Sequence, residues 1–280
     1  MSELEALLLG IVQGLTEFLP ISSSGHLVLV PWLQDYHFLQ DNESFNKTFD
    51  VALHAGTLVA VLIYFRADIA RLLIALWGSF RRRAIAGPDE RLAWAIVVGT
   101  IPAVIAGGLG ESFIEDHLGD PWQIAILMIF FGLLLGYADR RPQRQGLDEV
   151  VPRQGLYIGL AQVLSLAPGV SRSGITITAA RFLGLDRDSA ARISFLLLTP
   201  VTAGAVAYKG LEAASEGLPQ GVAGPMIVGT IAAAVSGYLA IAGLIAYVRR
   251  RSYDVFVAYR VLVGIVLLGL IASGVRGGTF

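Results

Sequence analysis

Two short stretches of this sequence gather side chains capable of phosphate and proton chemistry within otherwise apolar surroundings. The first holds Gln13, Glu17, Ser22, Ser23, Ser24, Gly25 and His26; the second reads Pro168-Gly169-Val170-Ser171-Arg172-Ser173-Gly174, followed by Thr176. Gln13 and Glu17 stand four residues apart, so on a helix they share a face. Glu17 lies in an apolar run that stops at Pro20, and His26 opens the next apolar half. A carboxylate and an imidazole placed so could move protons or hold a cation. Arg172 is permanently charged and its fork fits phosphate oxygens. The flanking hydroxyls and glycines would let backbone N–H groups at a helix start approach an oxyanion. Plainer roles stand beside these. Ser22, Ser23 and Ser24 could cap a helix, Glu17 and Arg172 could form a structural ion pair, His26 could be a satisfied interior histidine, and Gln13 suits a structural role as well as a catalytic one. His54 reads as a packing or hydrogen-bonding residue, and Asp139 and Arg140 read as solvated interface charges.

The elements that must hold these groups are membrane elements. The 280 residues are 55% hydrophobic and only 15% charged, against roughly 25% charged in soluble domains. Mean hydropathy is +0.65. Apolar residues cluster in runs such as 92–110, 122–138, 225–247 and 256–274, each about the ~20 residues a helix needs to cross a bilayer. There is no cysteine, which removes disulfides, zinc–thiolate sites and thiol catalysis. The start carries Glu3 and Glu5 and lacks the basic lead of a cleavable signal peptide. Net charge is −1, and no nucleic-acid partner is expected.

Arginines concentrate at 81–83, at 140, 141, 144 and 153, and at 249–251. The positive-inside rule puts these connections in the cytoplasm. The acidic connections, with Asp35, Asp41 and Glu43, with Glu111, Glu115, Asp116 and Asp120, and with Glu212 and Glu216, then lie outside. Counting from there gives six full spans, at 49–65, 92–110, 122–138, 191–208, 225–247 and 256–274, with both termini outside (periplasmic). The regions 4–33 and 155–184 are left over, each broken at a Pro/Ser/Gly-rich centre into halves too short to span. Each is expected to be a re-entrant helix hairpin, whose irregular backbone must be protein-buried or line a wet cavity. The two also match: Gln13 with Gln162, Ser22 with Ser171, Ser24 with Ser173 and Gly25 with Gly174, at one offset without a gap. The expected fold is therefore an all-α polytopic membrane protein, a single domain of inverted repeats at roughly 1–140 and 150–280, with its site near the midplane.

The stretch Gln13-Gly14-Leu15-Thr16-Glu17-Phe18-Leu19-Pro20-Ile21-Ser22-Ser23-Ser24-Gly25-His26 resembles the N-terminal signature of the bacterial undecaprenyl-diphosphate phosphatases. Pro168-Gly169-Val170-Ser171-Arg172-Ser173-Gly174-Ile175-Thr176 resembles their second signature. Many members have glutamate where this chain has Gln13, which leaves Glu17 as the acidic candidate. The resemblance implies a multi-pass enzyme of the bacterial cytoplasmic (inner) membrane. It would hydrolyse undecaprenyl diphosphate to undecaprenyl phosphate and inorganic phosphate, serve peptidoglycan precursor recycling and bacitracin resistance, and need a divalent cation, commonly magnesium or calcium. A homodimer is left open. In such a mechanism Arg172 clamps the diphosphate, with Gln13, Ser22, Ser24, Ser171, Ser173 and Thr176 as further substrate-binding groups. Glu17 holds the cation or acts as base, and His26 is a general acid/base. The attacking group is either water or a serine, Ser23 being the choice among serines. A phosphatidic-acid-phosphatase reading fails, because residues 172–190 contain no histidine. A secondary transporter or polyprenyl-phosphate flippase is the alternative, since inverted repeats with broken helices suit carriers equally.

Overall fold

A computed structural model describes residues 1–34, 43–216 and 222–278, without the side chains at 43–44, 111–116 and 212–216. Of the acidic connections only Asp120 is described with its side chain; Asp35 and Asp41 lie outside the described residues, and the others are described in backbone alone. The described chain is helical: α1 (Glu3–Phe18), α2 (Ser23–Gln34), α3 (Glu43–Tyr64), α4 (Arg66–Arg82), α5 (Pro88–His117), α6 (Pro121–Asp139), α7 (Pro152–Val163), α8 (Arg172–Phe182), α9 (Arg187–Glu216), α10 (Ala223–Val248) and α11 (Asp254–Ala272). Six of these are long and apolar enough to cross a membrane: α3, α5, α6, α9, α10 and α11. They are the six spans expected from the sequence, with α3 starting well before its expected span and α5 and α9 extending well beyond both ends of theirs.

Local chemistry sets the boundaries. Ser2 and Glu5 form a reciprocal capping box at the start of α1. Pro20 restricts Leu19 to extended backbone and so ends that helix. Pro121 occupies the first turn of α6, while Gln123 Oε1 accepts the N–H groups of Gly119 and Asp120. The 16 residues of α1 and 12 residues of α2, at ~1.5 Å each, fall short of the ~30 Å hydrocarbon layer. The 12 residues of α7 and 11 of α8 do the same.

One expectation needs correcting. The connection 66–91 is not simply a charged link. It carries the 17-residue helix α4, with Arg66, Asp68 and Arg71 at one end, Arg81 and Arg82 at the other, and Leu73, Ile74, Trp77 and Phe80 exposed between. A helix with an apolar exposed face and basic ends fits the plane of a membrane interface.

Packing is crosswise. Helix α1 lies on α10 and α7 lies on α5, each through a glycine crossing. A Cβ built on Gly10 would come within 2.3 Å of the Gly229 carbonyl oxygen, and one on Gly159 within 2.1 Å of that of Gly99. Only glycine lets the backbones meet so closely. The two chain breaks also share a turn. Ser22 (φ 78°) and Ser171 (φ 74°) adopt left-handed backbone, and their side chains accept the N–H groups of Gly25 and Gly174 at 3.3 and 3.1 Å.

Asp139 is a second correction. It is 4% exposed rather than solvated. Its carboxylate accepts from Arg187 at 2.8 and 3.0 Å, from Arg181 at 3.3 Å and from the Tyr253 N–H at 3.1 Å. It thereby joins the ends of α6, α8, α9 and α11. Arg140, by contrast, is exposed, as expected.

Candidate functional site

Glu17 is the centre of the site. It sits on the last turn of α1, just before the first break, and is 2% exposed. Its Oε2 accepts from Gln13 Nε2 at 3.2 Å, the helical pairing anticipated from their spacing. The same oxygen takes a short hydrogen bond from Ser23 Oγ. The other oxygen, Oε1, is buried without a hydrogen-bond partner and lies 3.7 Å from Arg172 Nη2. Arg172 reaches in from the second break, steadied by Nη1 donating to Thr202 Oγ1 at 2.8 Å. The site is thus built from both breaks. A hydroxyl and a guanidinium flank one buried carboxylate.

His54 completes this face, against the sequence reading that set it aside. Its Nε2 stands 3.8 Å from Glu17 Oε2. Its Nδ1 donates to the Asp50 carbonyl oxygen at 2.8 Å, which fixes the ring's orientation.

His26 is held separately. Its Nδ1 donates to the Ser22 carbonyl oxygen at 2.7 Å, leaving Nε2 of the neutral ring to accept from the Tyr259 hydroxyl at 2.7 Å. The two rings stack with centroids 5.7 Å apart. Among the described residues His26 makes no hydrogen bond or ion pair to Glu17 or Arg172, although it follows Ser23 by one turn of α2. In this arrangement the group poised to take the Ser23 proton is Glu17.

The other candidate groups hold the breaks together. Ser22 Oγ accepts from Gly169 N–H at 3.1 Å, across from one break to the other. Ser173 Oγ donates to the Leu19 carbonyl oxygen at 3.1 Å and lies 3.4 Å from Ser171 Oγ. Thr176 is turned into the α8–α9 interface, where it bonds the Arg172 carbonyl oxygen and Ser194 Oγ at 2.8 and 2.7 Å. Ser24 is half-buried, with no side-chain hydrogen bond among the described residues. The cap left open by the sequence is therefore present at Ser22, Ser171 caps the second break in the same way, and Ser23 is the serine aimed at the acid.

Arg260 escaped the sequence reading. Wholly buried, it donates to the carbonyl oxygens of Met128 (3.1 Å), Pro20 (3.3 Å), Leu127 (3.5 Å), Gly169 (2.9 Å) and Val170 (3.0 Å). One guanidinium so gathers α6 and both breaks. No carboxylate lies within 4.0 Å of it among the described residues. The signal was an arginine alone in an apolar span. Thr202 and Tyr259 carried no such signal.

For a divalent cation, the residues offer one carboxylate oxygen without a donor, Glu17 Oε1. No cluster of three or more His, Cys, Asp or Glu side chains occurs among the described residues. Such a site fits a hard cation only if substrate phosphates supply further oxygens, as is usual for magnesium.

Comparison with known proteins agrees with the signatures. The family model described as bacitracin resistance protein BacA matches residues 6–266. The undecaprenyl-diphosphatase of Geobacter sulfurreducens is 51% identical over 267 residues, covering 94% of this chain and 96% of the relative. That of Hahella chejuensis is 46% identical, covering 96% and 98%. That of Pelobacter propionicus is 42% identical, covering 99% and 100%. With its helices, its two breaks and nearly its whole length accounted for by that match, this multi-pass membrane chain belongs to the bacitracin resistance protein BacA family.

Proposed function

We propose that this chain hydrolyses undecaprenyl diphosphate to undecaprenyl phosphate and inorganic phosphate. The observation that carries the reading is the contact of Ser23 with the buried Glu17, with Arg172 beside the other carboxylate oxygen. A hydroxyl bonded to a carboxylate is the arrangement of a nucleophile with its base. A guanidinium next to it meets the charge of a phosphoryl group in transfer. The names of the relatives point to the same substrate.

Glu17 Oε2 takes the Ser23 proton as Ser23 Oγ attacks the terminal phosphorus. The bond from that phosphorus to the bridging oxygen breaks, and undecaprenyl phosphate leaves. Water then attacks the Ser23 phosphoester, the phosphorus–Oγ bond breaks, and Glu17 returns its proton to Ser23 Oγ, which releases inorganic phosphate and restores the hydroxyl. His26 activates that water once its Nε2 parts from Tyr259. Arg172 holds the phosphoryl oxygens throughout. A magnesium or calcium ion would be held by Glu17 Oε1 together with the lipid's own phosphate oxygens, and would supply charge neutralisation when bound.

In the same proposal 4–33 and 155–184 are re-entrant hairpins within inverted repeats at roughly 1–140 and 150–280. The arginine-bearing face is cytoplasmic and both termini are periplasmic. The shared serine turn and the reciprocal glycine crossings support the repeat, and the clustered arginines support the sidedness. Cysteine introduced singly into this cysteine-free chain, at Arg82 or Ser2, tests it: only the latter is expected to react with an impermeant thiol reagent added outside.

The chemical test is phosphate release from undecaprenyl or farnesyl diphosphate by the purified protein in detergent. Normal turnover in Glu17→Ala, His26→Ala and Arg172→Ala together would remove the site. Acid quench with substrate labelled on the terminal phosphorus is expected to leave label on the protein and none on Ser23→Ala. An unlabelled wild type would hand the attack to water.

A further inference from the structure

Away from the two breaks, the turn joining α4 to α5 borders an open cavity of about 560 Å³ lined by Trp77, Ser79, Phe80, Arg81, Arg83, Ala84, Ile85 and Trp94. The turn is firmly built. Arg83 takes left-handed backbone (φ 53°) and its N–H returns to the Phe80 carbonyl oxygen. Trp94 Nε1 donates to the buried Ser79 Oγ at 2.7 Å. Glu90 is spent twice, accepting the Ala86 N–H at 2.7 Å and pairing with Arg82. The nearest acid is thereby taken by the middle arginine of the three. Arg81 and Arg83 flank the cavity with no acidic partner among the described residues. Beside them run the exposed side chains of Leu73, Ile74, Trp77 and Phe80.

We infer that this cavity binds the head group of an anionic glycerophospholipid. Arg81 and Arg83 meet its phosphate, the two tryptophans frame the interfacial glycerol region, and the acyl chains run along the apolar face of α4. The charge argument selects the occupant. Two exposed guanidiniums without an acidic partner at one rim favour an anion, and the adjoining apolar strip favours an anion that carries chains. Interfacial tryptophan and arginine are the side chains that anchor at this depth. A free phosphate would leave the strip uncovered, and a zwitterionic lipid would bring a cation to the arginines.

The test uses the full-length protein in nanodiscs, with Trp32 and Trp122 replaced by phenylalanine so that only Trp77 and Trp94, both at the cavity, report. Their fluorescence is measured while phosphatidylglycerol or phosphatidylcholine with brominated chains is titrated into an unbrominated phosphatidylcholine background. A preference of roughly tenfold for the anionic lipid is expected, and its loss in Arg81→Gln/Arg83→Gln. Arg250→Gln/Arg251→Gln removes the same charge from another arginine cluster and is expected to keep the preference. Equal quenching by both lipids overturns the proposal. So does an equal loss in the Arg250/Arg251 variant, which would reduce the effect to general surface charge. Relief of quenching by inorganic phosphate at matched ionic strength overturns it too, because the cavity would then hold a free anion. Circular dichroism of each variant confirms that it is folded.

Discussion

The two breaks use one backbone device for different ends. Each turns on a serine in left-handed backbone whose hydroxyl caps the next half-helix. Each is preceded by a buried glutamine, Gln13 or Gln162. There the likeness stops. Four residues after Gln13 stands Glu17; four residues after Gln162 stands Leu166. Gln13 therefore has a carboxylate to donate to, whereas both polar atoms of Gln162 are buried without a partner. One residue past the serine, the first break presents Ser23 and the second Arg172. The first break carries the acid and the hydroxyl; the second brings the cation and, with Arg260, the seat on which both rest. A shared turn supplies position, and the residues carried on it differ in charge and chemistry.

The largest effect should come from the acid. Glu17→Gln keeps the shape and the Gln13 contact but cannot take the Ser23 proton. Phosphate release should fall by about 10³-fold, while a drop below tenfold would remove Glu17 from the chemistry. Arg260→Leu strips five carbonyl oxygens of their donor and should destabilise the detergent-solubilised protein by ~3 kcal/mol or more. Unchanged thermal unfolding would mean that the two breaks do not share this seat. Arg172→Lys keeps the charge and loses the fork. We expect roughly 10²-fold slower turnover with folding intact, and full activity would show that charge alone suffices on the second break. The smallest effect sharpens the contrast most. Gln162→Leu should leave turnover within about twofold and raise stability slightly, by up to ~1 kcal/mol, because it removes two unsatisfied polar atoms. If Gln162→Leu cost as much activity as Gln13→Leu, the division between the breaks would be wrong.

Much of this was legible in the residues. The spans follow from runs of apolar residues about one bilayer long, and α3, α5, α6, α9, α10 and α11 lie where those runs lie. The Gln13–Glu17 contact follows from helical spacing. Other features depend on side chains meeting across the fold. His54 lies far from Glu17 in sequence, and its reach to the acid depends on the rotation of α3, which no local pattern encodes. Asp139 lies in an arginine-rich connection, and only the convergence of α8, α9 and α11 buries it. Helix α4 was hidden because its charged ends dominate the composition of the connection, although its middle is apolar.

The crossing of α1 on α10 has a consequence for the order of synthesis. The face of α1 bearing Gly10 and Gly14 meets Gly229, Ala232, Ala233, Ser236 and Gly237, made much later in the chain. At about 5–20 residues per second, the ribosome needs roughly ten seconds or more to deliver that partner. Until then α1, with Glu17 on its last turn, lacks the helix against which most of it packs. The earliest segment to emerge is thus among the last to settle, and a nascent chain stopped before α10 would hold every residue of the first break without the scaffold that aligns them.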